Sequence, residues 1–225
     1  MLHAPATVHL PPGFRGHALA PGEDAFAAAV QAAGQGADPA TMVWALGPHA
    51  LDLAVVLAPD EPALLARRSV IAGMAALADA LVVVAPPEKP IGIAWPATLL
   101  VDGAVAGGGR VALPEGAADA VPSWLVFGAT LRLSWPEDAE PGLTPDRTAL
   151  VEEGFDDFDA AELVGSFARH LLFHVDAWQA RGFATVAATY AKRLVPPGRV
   201  LENGDLHQGK MPLAAALLRP SWRDA

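Results

Sequence analysis

Between Trp95 and Arg110 the chain reads WPATLLVDGAVAGGGR, with its chemistry-bearing residues gathered at the two ends. At the far end, Gly107, Gly108 and Gly109 permit close approach of backbone to a ligand, and Arg110 carries a planar fork of donors suited to a carboxylate or phosphate. That set reads either as an anion site or as a glycine-rich β-bulge with Arg110 on the solvent face. At the near end, Trp95 is either a flat wall beneath a ligand or a core side chain. Lys89, held in a stiff segment between Pro87 and Pro90, is either a positive charge brought towards Trp95 or a solvated lysine. Asp102, in VDGA, is adequately explained as a turn residue.

His170 and His174 stand at i and i+4, the spacing of a helical zinc pair. The glutamate of His-Glu-x-x-His is missing, and Leu171, Leu172 and Phe173 lie between them, so packing histidines are the favoured reading. Arg67-Arg68 and the acids Glu152, Glu153, Asp156 and Asp157 read as solvated faces. The strand, Gly-x-Gly-x-x-Gly and helix pattern of dinucleotide sites is absent.

The elements that must position these residues follow from periodicity and punctuation. GEDAFAAAVQAA, residues 22–33, reads as a helix stopped by Gly34. TMVWAL and LDLAVVL read as strands of a hairpin turning over 47–50. From Pro62, the spacing of Leu64, Ile71, Met74, Ala78 and Leu81 predicts a helix, with LVVVA as a strand after it. The first third is thus expected to run α-β-β-α-β. PPEKP is a rigid connector, ATLLVDGAVAGGGRVAL two strands turning at Asp102-Gly103, and SWLVFGATLRLSW another strand. After an acidic loop, 136–147, Asp159 and Glu162 form a capping-box-like start to a long helix ending near Gly182, with a shorter one over 183–194. Pro196-Pro197 mark a boundary, so the expected division is a main domain over 1–194 and a small C-terminal β extension over 195–225. In that extension Asn203-Gly204 centres a type I′ hairpin.

Composition narrows the function classes. Among 225 residues, 25 acidic against 15 basic side chains give a formal charge of −10, which opposes the phosphate attraction behind most nucleic-acid affinity. The absence of cysteine excludes a disulfide scaffold, a thiolate metal site and a thioacyl intermediate. The longest apolar run, 69–85, is interrupted by Asp79 and ends at Pro86-Pro87, so no membrane span is expected. MLHAPATVHLPPGF has neither a basic n-region nor a continuous apolar h-region, and the expectation is a cytoplasmic protein.

The helix AGMAALADAL, then WPATLLVDGAVAGGG, then LVEEGFDDFDAAELVGSFARHLLFHVDAWQARGF resemble, in that order, the biotin/lipoate protein ligase family, over residues 20–190. The resemblance implies an α+β domain on a mixed, largely antiparallel sheet with flanking helices. It also implies ATP and Mg²⁺ activating biotin, lipoate or octanoate as an acyl-adenylate, and transfer of the acyl group to a lysine of a biotinyl or lipoyl carrier domain. Gly108 falls at a family glycine. The departures concern charge. Ala97 and Thr98 stand where the family has an Asn-Asp pair, and Val105 falls at the family lysine, while Lys89, Lys192 and Lys210 are the only lysines in the chain. The Gly/Arg-rich closing loop is reduced to GPHA, and the cysteine of the octanoyl-transferase branch is missing. The expectation is an atypical ligase or acyltransferase-like protein binding an acyl chain or acyl-adenylate through Trp95, Gly107, Gly108, Gly109, Arg110 and Lys89, with no metal site. The alternative is a noncatalytic module that binds or senses such a ligand, or docks on a carrier domain.

Overall fold

The computed structural model describes residues 7–155, 158–218 and 220–224. Seven strands of the described residues form one sheet: β1 (Arg15–Leu19), β2 (Thr41–Leu46), β3 (Ala50–Leu57), β4 (Ile91–Ala94), β5 (Thr98–Val101), β6 (Ala104–Ala112) and β7 (Leu125–Arg132). Their order across the sheet is β1-β2-β3-β7-β6-β5-β4; β1 pairs with β2 in parallel and every other pair is antiparallel. Two hairpins match expectation. β2 and β3 turn tightly over 47–49, and β5 and β6 turn at Asp102-Gly103, both at positive φ, as a two-residue turn requires.

The helices are α1 (Ala25–Gly34), α2 (Ala63–Ala66), α3 (Ser69–Val84), α4 (Ala160–Arg181), α5 (Phe183–Ala191), α6 (Leu213–Ala216) and α7 (Ser221–Asp224). Asp24 caps α1 by accepting from the Ala27 N–H at 3.0 Å, and Asp159 caps α4 by accepting from Ala161 at 2.8 Å. Glu162 does not reach back to complete a capping box; it pairs with Arg169. None of the described helices is long and apolar enough to cross a membrane.

Strand alternation gives the sheet two faces with different covers. Leu51, Leu53, Val55, Phe127, Ala129 and Leu131 join the main core with α3, α4 and α5, where Phe127 stacks on Phe167 at 5.9 Å between centroids. On the other face α1 lays Ala25, Ala29 and Ala33 against Val43, Ala54, Val56 and Val126. Helix α1 packs on β2, β3 and β7, leaving the part of this face towards β6 for another cover.

Four readings need correction. The helix expected from Pro62 is two helices, broken at Arg67-Arg68, and Leu64 is exposed rather than on the core face. LVVVA is not a strand: α3 runs through Val84, since the alanine-rich run propagates helix until Ala85, which turns extended (ψ 141°) ahead of Pro86. Strands β1 and β4 were not expected; β1 is exposed along most of its length and so lacks an apolar signature. Among the described C-terminal residues the Asn203-Gly204 turn closes an isolated bridge, Val200 to Leu206, rather than a hairpin, and the two helices are α6 and α7. Asn203 accepts from the Asp205 N–H, and Val200 and Leu213 pack into the main core.

Candidate functional site

A cavity of about 470 Å³ opens on the sheet face that α1 leaves uncovered. Its floor is the cross-strand set Asp52 on β3, Thr130 and Arg132 on β7, and Val105, Gly107 and Arg110 on β6. Its rim comes from Gly22 and Asp24 before α1, His49 in the β2–β3 turn, Ser134 and Pro136 after β7, Arg147, and Trp222 and Arg223 of α7. Four arginines against two aspartates make this a positive site within an acidic chain.

A β-bulge shapes the floor. Leu99 pairs with Gly107 but Leu100 pairs with Val105, so Ala106 is the extra residue. A Cβ on Gly107 would overlap the Thr130 carbonyl oxygen. One on Gly108 would overlap the Trp222 ring and the Ala97 carbonyl, and one on Gly109 would press on Met74 and Phe127. Gly107 lines the cavity, whereas Gly108 and Gly109 answer to packing on the two faces of β6.

Arg110 reaches the cavity but is not on a solvent face. Its side chain is 14% exposed, its Nη2 donates to Asp24 at 2.6 Å, and its guanidinium lies 4.2 Å from the centroid of Phe26. Burial lowers its pKa against the opposing pull of Asp24. Burial also works against the Asp24 carboxylate, but the Ala27 N–H and the Arg110 charge hold that group below the ordinary value. Burial raises Asp52, outweighing the hydrogen bond it accepts from Thr130. His49 Nδ1 lies 2.8 Å from the Ser134 hydroxyl, which donates to the Pro48 carbonyl.

Trp95 and Lys89 do not line the cavity. The Trp95 indole donates to the Gly204 carbonyl at 3.1 Å, tying the C-terminal segment to the sheet. Lys89 is engaged by Glu153 at 2.9 Å and Asp102 at 3.1 Å, and the Glu153 hydrogen bond leads the causes that raise its pKa. Glu153 is therefore an ion-pair partner and not a solvated acid; Asp156 and Asp157 lie outside the described residues. Arg68 likewise is not solvated: only 5% exposed, it pairs with Glu61 and packs on Trp178 and Phe183. His174 meets Asp79 at 2.8 Å, Asp79 meets Arg193 at 2.7 Å, and His170 binds the Ser166 carbonyl at 2.9 Å, all within helix packing.

The cavity's donors fit an anion, since Arg110 Nε and Arg147 Nε and Nη2 are buried without partners. They do not fit a magnesium site of the kind an Asn-Asp pair would help build. Ala97 and the buried Thr98 offer no carboxylate, while Asp24 and Asp52 are already held by Arg110 and Thr130. Among the described residues, no cluster of three or more histidine or acidic side chains could hold a metal. A second cavity, about 580 Å³, lies on the helix side among Leu57, Leu125, Leu171, Val175, Trp178 and Phe183. Arg68 there is paired with Glu61 and Glu202, and Asp60 also lines the cavity, so its described residues offer no free cation.

His49, Asp52, Thr130, Arg132, Arg147 and Trp222 were not anticipated from sequence. Asp52 in LDLAVVL and Arg132 in TLRLSW could have been, because a charge inside a β-rich run asks for a buried partner or a site. Arg147 follows an irregular loop and carries no such signal.

The family model described as Biotin/lipoate A/B protein ligase family matches residues 10–192. No curated relative matches the chain. Among solved structures, a biotin protein ligase-like protein of unknown function from Silicibacter sp. tm1040 is 31% identical, with a TM-score of 0.83 over 95% of this chain and 100% of that one. Apo biotin protein ligase from Aquifex aeolicus superimposes with a TM-score of 0.68 at 15% identity, covering 86% of this chain and 90% of that one. Biotin protein ligase from Leishmania major, in complex with biotinyl-5-AMP, gives 0.56 at 16% identity over 90% and 88%. At these last two identities the likeness is one of fold.

Proposed function

The chain belongs to the biotin/lipoate A/B protein ligase family, and from that premise we propose that its sheet-face cavity binds a small acyl acid such as biotin, lipoate or octanoate, or the adenylate of one. The observation that carries this reading is the meeting, in one cavity, of Val105, Ala106 and Gly107 of β6 with the guanidiniums of Arg110 and Arg147, whose buried nitrogens lack partners. Apolar residues Val105, Ala106 and Pro136 lie beside those charges, as an acyl chain ending in an anion requires. The biotinyl-5-AMP in the Leishmania major ligase is a ligand of that class.

As an atypical ligase or acyltransferase-like protein, the chain would use ATP to activate the acid and pass the acyl group to a lysine of a biotinyl or lipoyl carrier domain. Two observations favour the second reading, a noncatalytic module for the same ligand or for a carrier domain. Position 105 holds a valine, and the 47–49 turn is too short to cover a hydrolysable mixed anhydride. Mass spectrometry of small molecules released from the denatured protein, together with acid-dependent pyrophosphate exchange, tests both. A retained acyl acid or adenylate with negligible exchange supports the binding module, and exchange at a typical ligase rate supports the enzyme. A protein that carries no such ligand and binds none on titration ends the proposal.

A further inference from the structure

The backbone of Arg147 forms a parallel bridge with Val105. The Val105 N–H donates to the Asp146 carbonyl at 2.8 Å, and the Thr148 N–H donates to the Val105 carbonyl at 3.0 Å, so Arg147 is clamped beside that valine from both sides. Its Nε and Nη2 are buried and make no hydrogen bond. Arg132, across the same cavity wall, is held by Nη1 donation to the Thr148 carbonyl at 3.1 Å and lies 4.4 Å from the Trp135 ring centroid. Burial lowers the Arg132 pKa, and the charge of Arg147, which lines the same cavity, lowers it further. Two half-buried like charges lining one cavity, one of them with two buried donors unused, form a place that an anion would stabilise. Neither cavity carboxylate fills that role: Asp24 is taken by Arg110 and Asp52 by Thr130.

We infer that Arg147 and Arg132 form an oxyanion site at the Val105 end of the cavity, which receives the carboxylate of an acyl acid or the phosphate of its adenylate. This rests on the ligand reading proposed above and deepens it. The positive charge absent from the side chain at position 105 is supplied by the segment bridged to it. Arg110, whose Nη2 is engaged by Asp24 while its Nε is unpartnered, is a neighbour of the site rather than its main anion contact.

Calorimetric titration of the full chain with biotin, lipoate, octanoate, octanamide, AMP and inorganic phosphate tests this, in wild type, Arg147→Gln, Arg147→Lys and Arg132→Gln. Wild type is expected to bind at least one acid, or AMP, tenfold or more tightly than a neutral amide or phosphate alone. Arg147→Gln should lose roughly tenfold or more of that affinity, the size of one charge-assisted bond, while amide binding stays unchanged. Arg147→Lys should fall between them, keeping charge without the planar fork. A preference for acids places the carboxylate in the site, and a preference for AMP places the phosphate there. Arg147→Gln should melt no lower than wild type, because it removes a cation whose buried Nε and Nη2 have no partner; that keeps it informative if Arg132→Gln unfolds after losing its contact with Trp135. Acid or AMP binding that is equal in wild type and Arg147→Gln overturns the inference and leaves the ligand reading standing. Absence of binding by wild type to every probe overturns both.

Discussion

The indole N–H of Trp222 donates to the Gly109 carbonyl at 3.1 Å, and the ring fills the space over Gly108 where a side chain would otherwise stand. Helix α7 thus reaches back to close the cavity over the strand that forms its floor. The three glycines should consequently differ in their tolerance of a methyl group. Gly107→Ala meets only backbone, the Thr130 carbonyl, and is expected to reach or exceed the top of the ~1–3 kcal/mol range for overpacking. Gly108→Ala meets a tail ring that can be displaced as well as the fixed Ala97 carbonyl, so Trp222→Ala in the same chain should recover part of its loss. Gly116→Ala, which meets nothing, is the control. Urea melts would rank the set, and equal midpoints for Gly107→Ala and Gly116→Ala would refute the bulge packing.

Arg110 is expected to matter for folding. Asp24 is both its partner and the N-cap of α1, so Arg110→Ala frees a capping carboxylate and strips a cation from Phe26. Asp24→Ala should cost about 1 kcal/mol through the cap alone. The double variant should be less destabilised than the sum of the singles by ~0.5 kcal/mol or more, the coupling expected of residues in contact. Strict additivity in thermal melts would show that the pair contributes nothing.

Much of this frame was legible because it rests on local rules. The 47–49 and Asp102-Gly103 turns, the Asp159 cap and the Gly182 stop can each be read from neighbouring residues. LVVVA was misread because Val82 and Val83 have high strand propensity while their helical state is imposed by the run before them. The site was less legible for a topological reason. Its floor joins residues from β3, β6 and β7, and one of its four arginines, Arg147, arrives through a bridge to Val105 that spans a loop without periodicity. Glycine spacing pointed to β6, which lines the cavity. It could not distinguish Gly107, which faces the cavity, from Gly109, which packs on Phe127.

Two half-buried aspartates should give stability profiles of opposite sign. Asp79, despite the burial that opposes it, is held below its ordinary 3.8 by hydrogen bonds from His174 and Arg193. Its contribution is present above that value and disappears as pH falls through the lower folded value. Asp79→Asn should therefore melt below wild type at pH 7, with the gap closing in acid. Asp52 is raised above 3.8 by burial, so its ionised form weighs against the fold once pH rises through the higher folded value. Asp52→Asn should melt above wild type at neutral pH and lose that advantage below 3.8. Melting curves across pH 3–7 for both variants are the check, and parallel displacements at every pH would remove the electrostatic account.

Arg68 ties three parts of the chain together. Its guanidinium pairs with Glu61 before α2, donates to the Glu202 carbonyl and approaches the Glu202 carboxylate at 3.1 Å, and packs on Trp178 and Phe183 at the α4–α5 corner. Its side chain is 6% exposed against 25% for Glu61 and 72% for Glu202, so Glu61 is the desolvated partner and Glu202 the solvated one. Breaking a buried pair from one side leaves an uncompensated charge and typically costs ~3–5 kcal/mol, whereas a solvent-facing pair is worth about 1 kcal/mol or less. Arg68→Ala is accordingly expected to be severe, Glu61→Ala to approach it, and Glu202→Ala to be mild, because that substitution leaves the carbonyl bond in place. Arg68→Met combined with Glu61→Leu should recover much of the loss by replacing the pair with apolar contacts on Trp178 and Phe183. Chemical denaturation of the four variants would decide the ranking. A Glu202→Ala loss as large as that of Arg68→Ala would mean that the tail contact, and not the buried pair, holds this corner together.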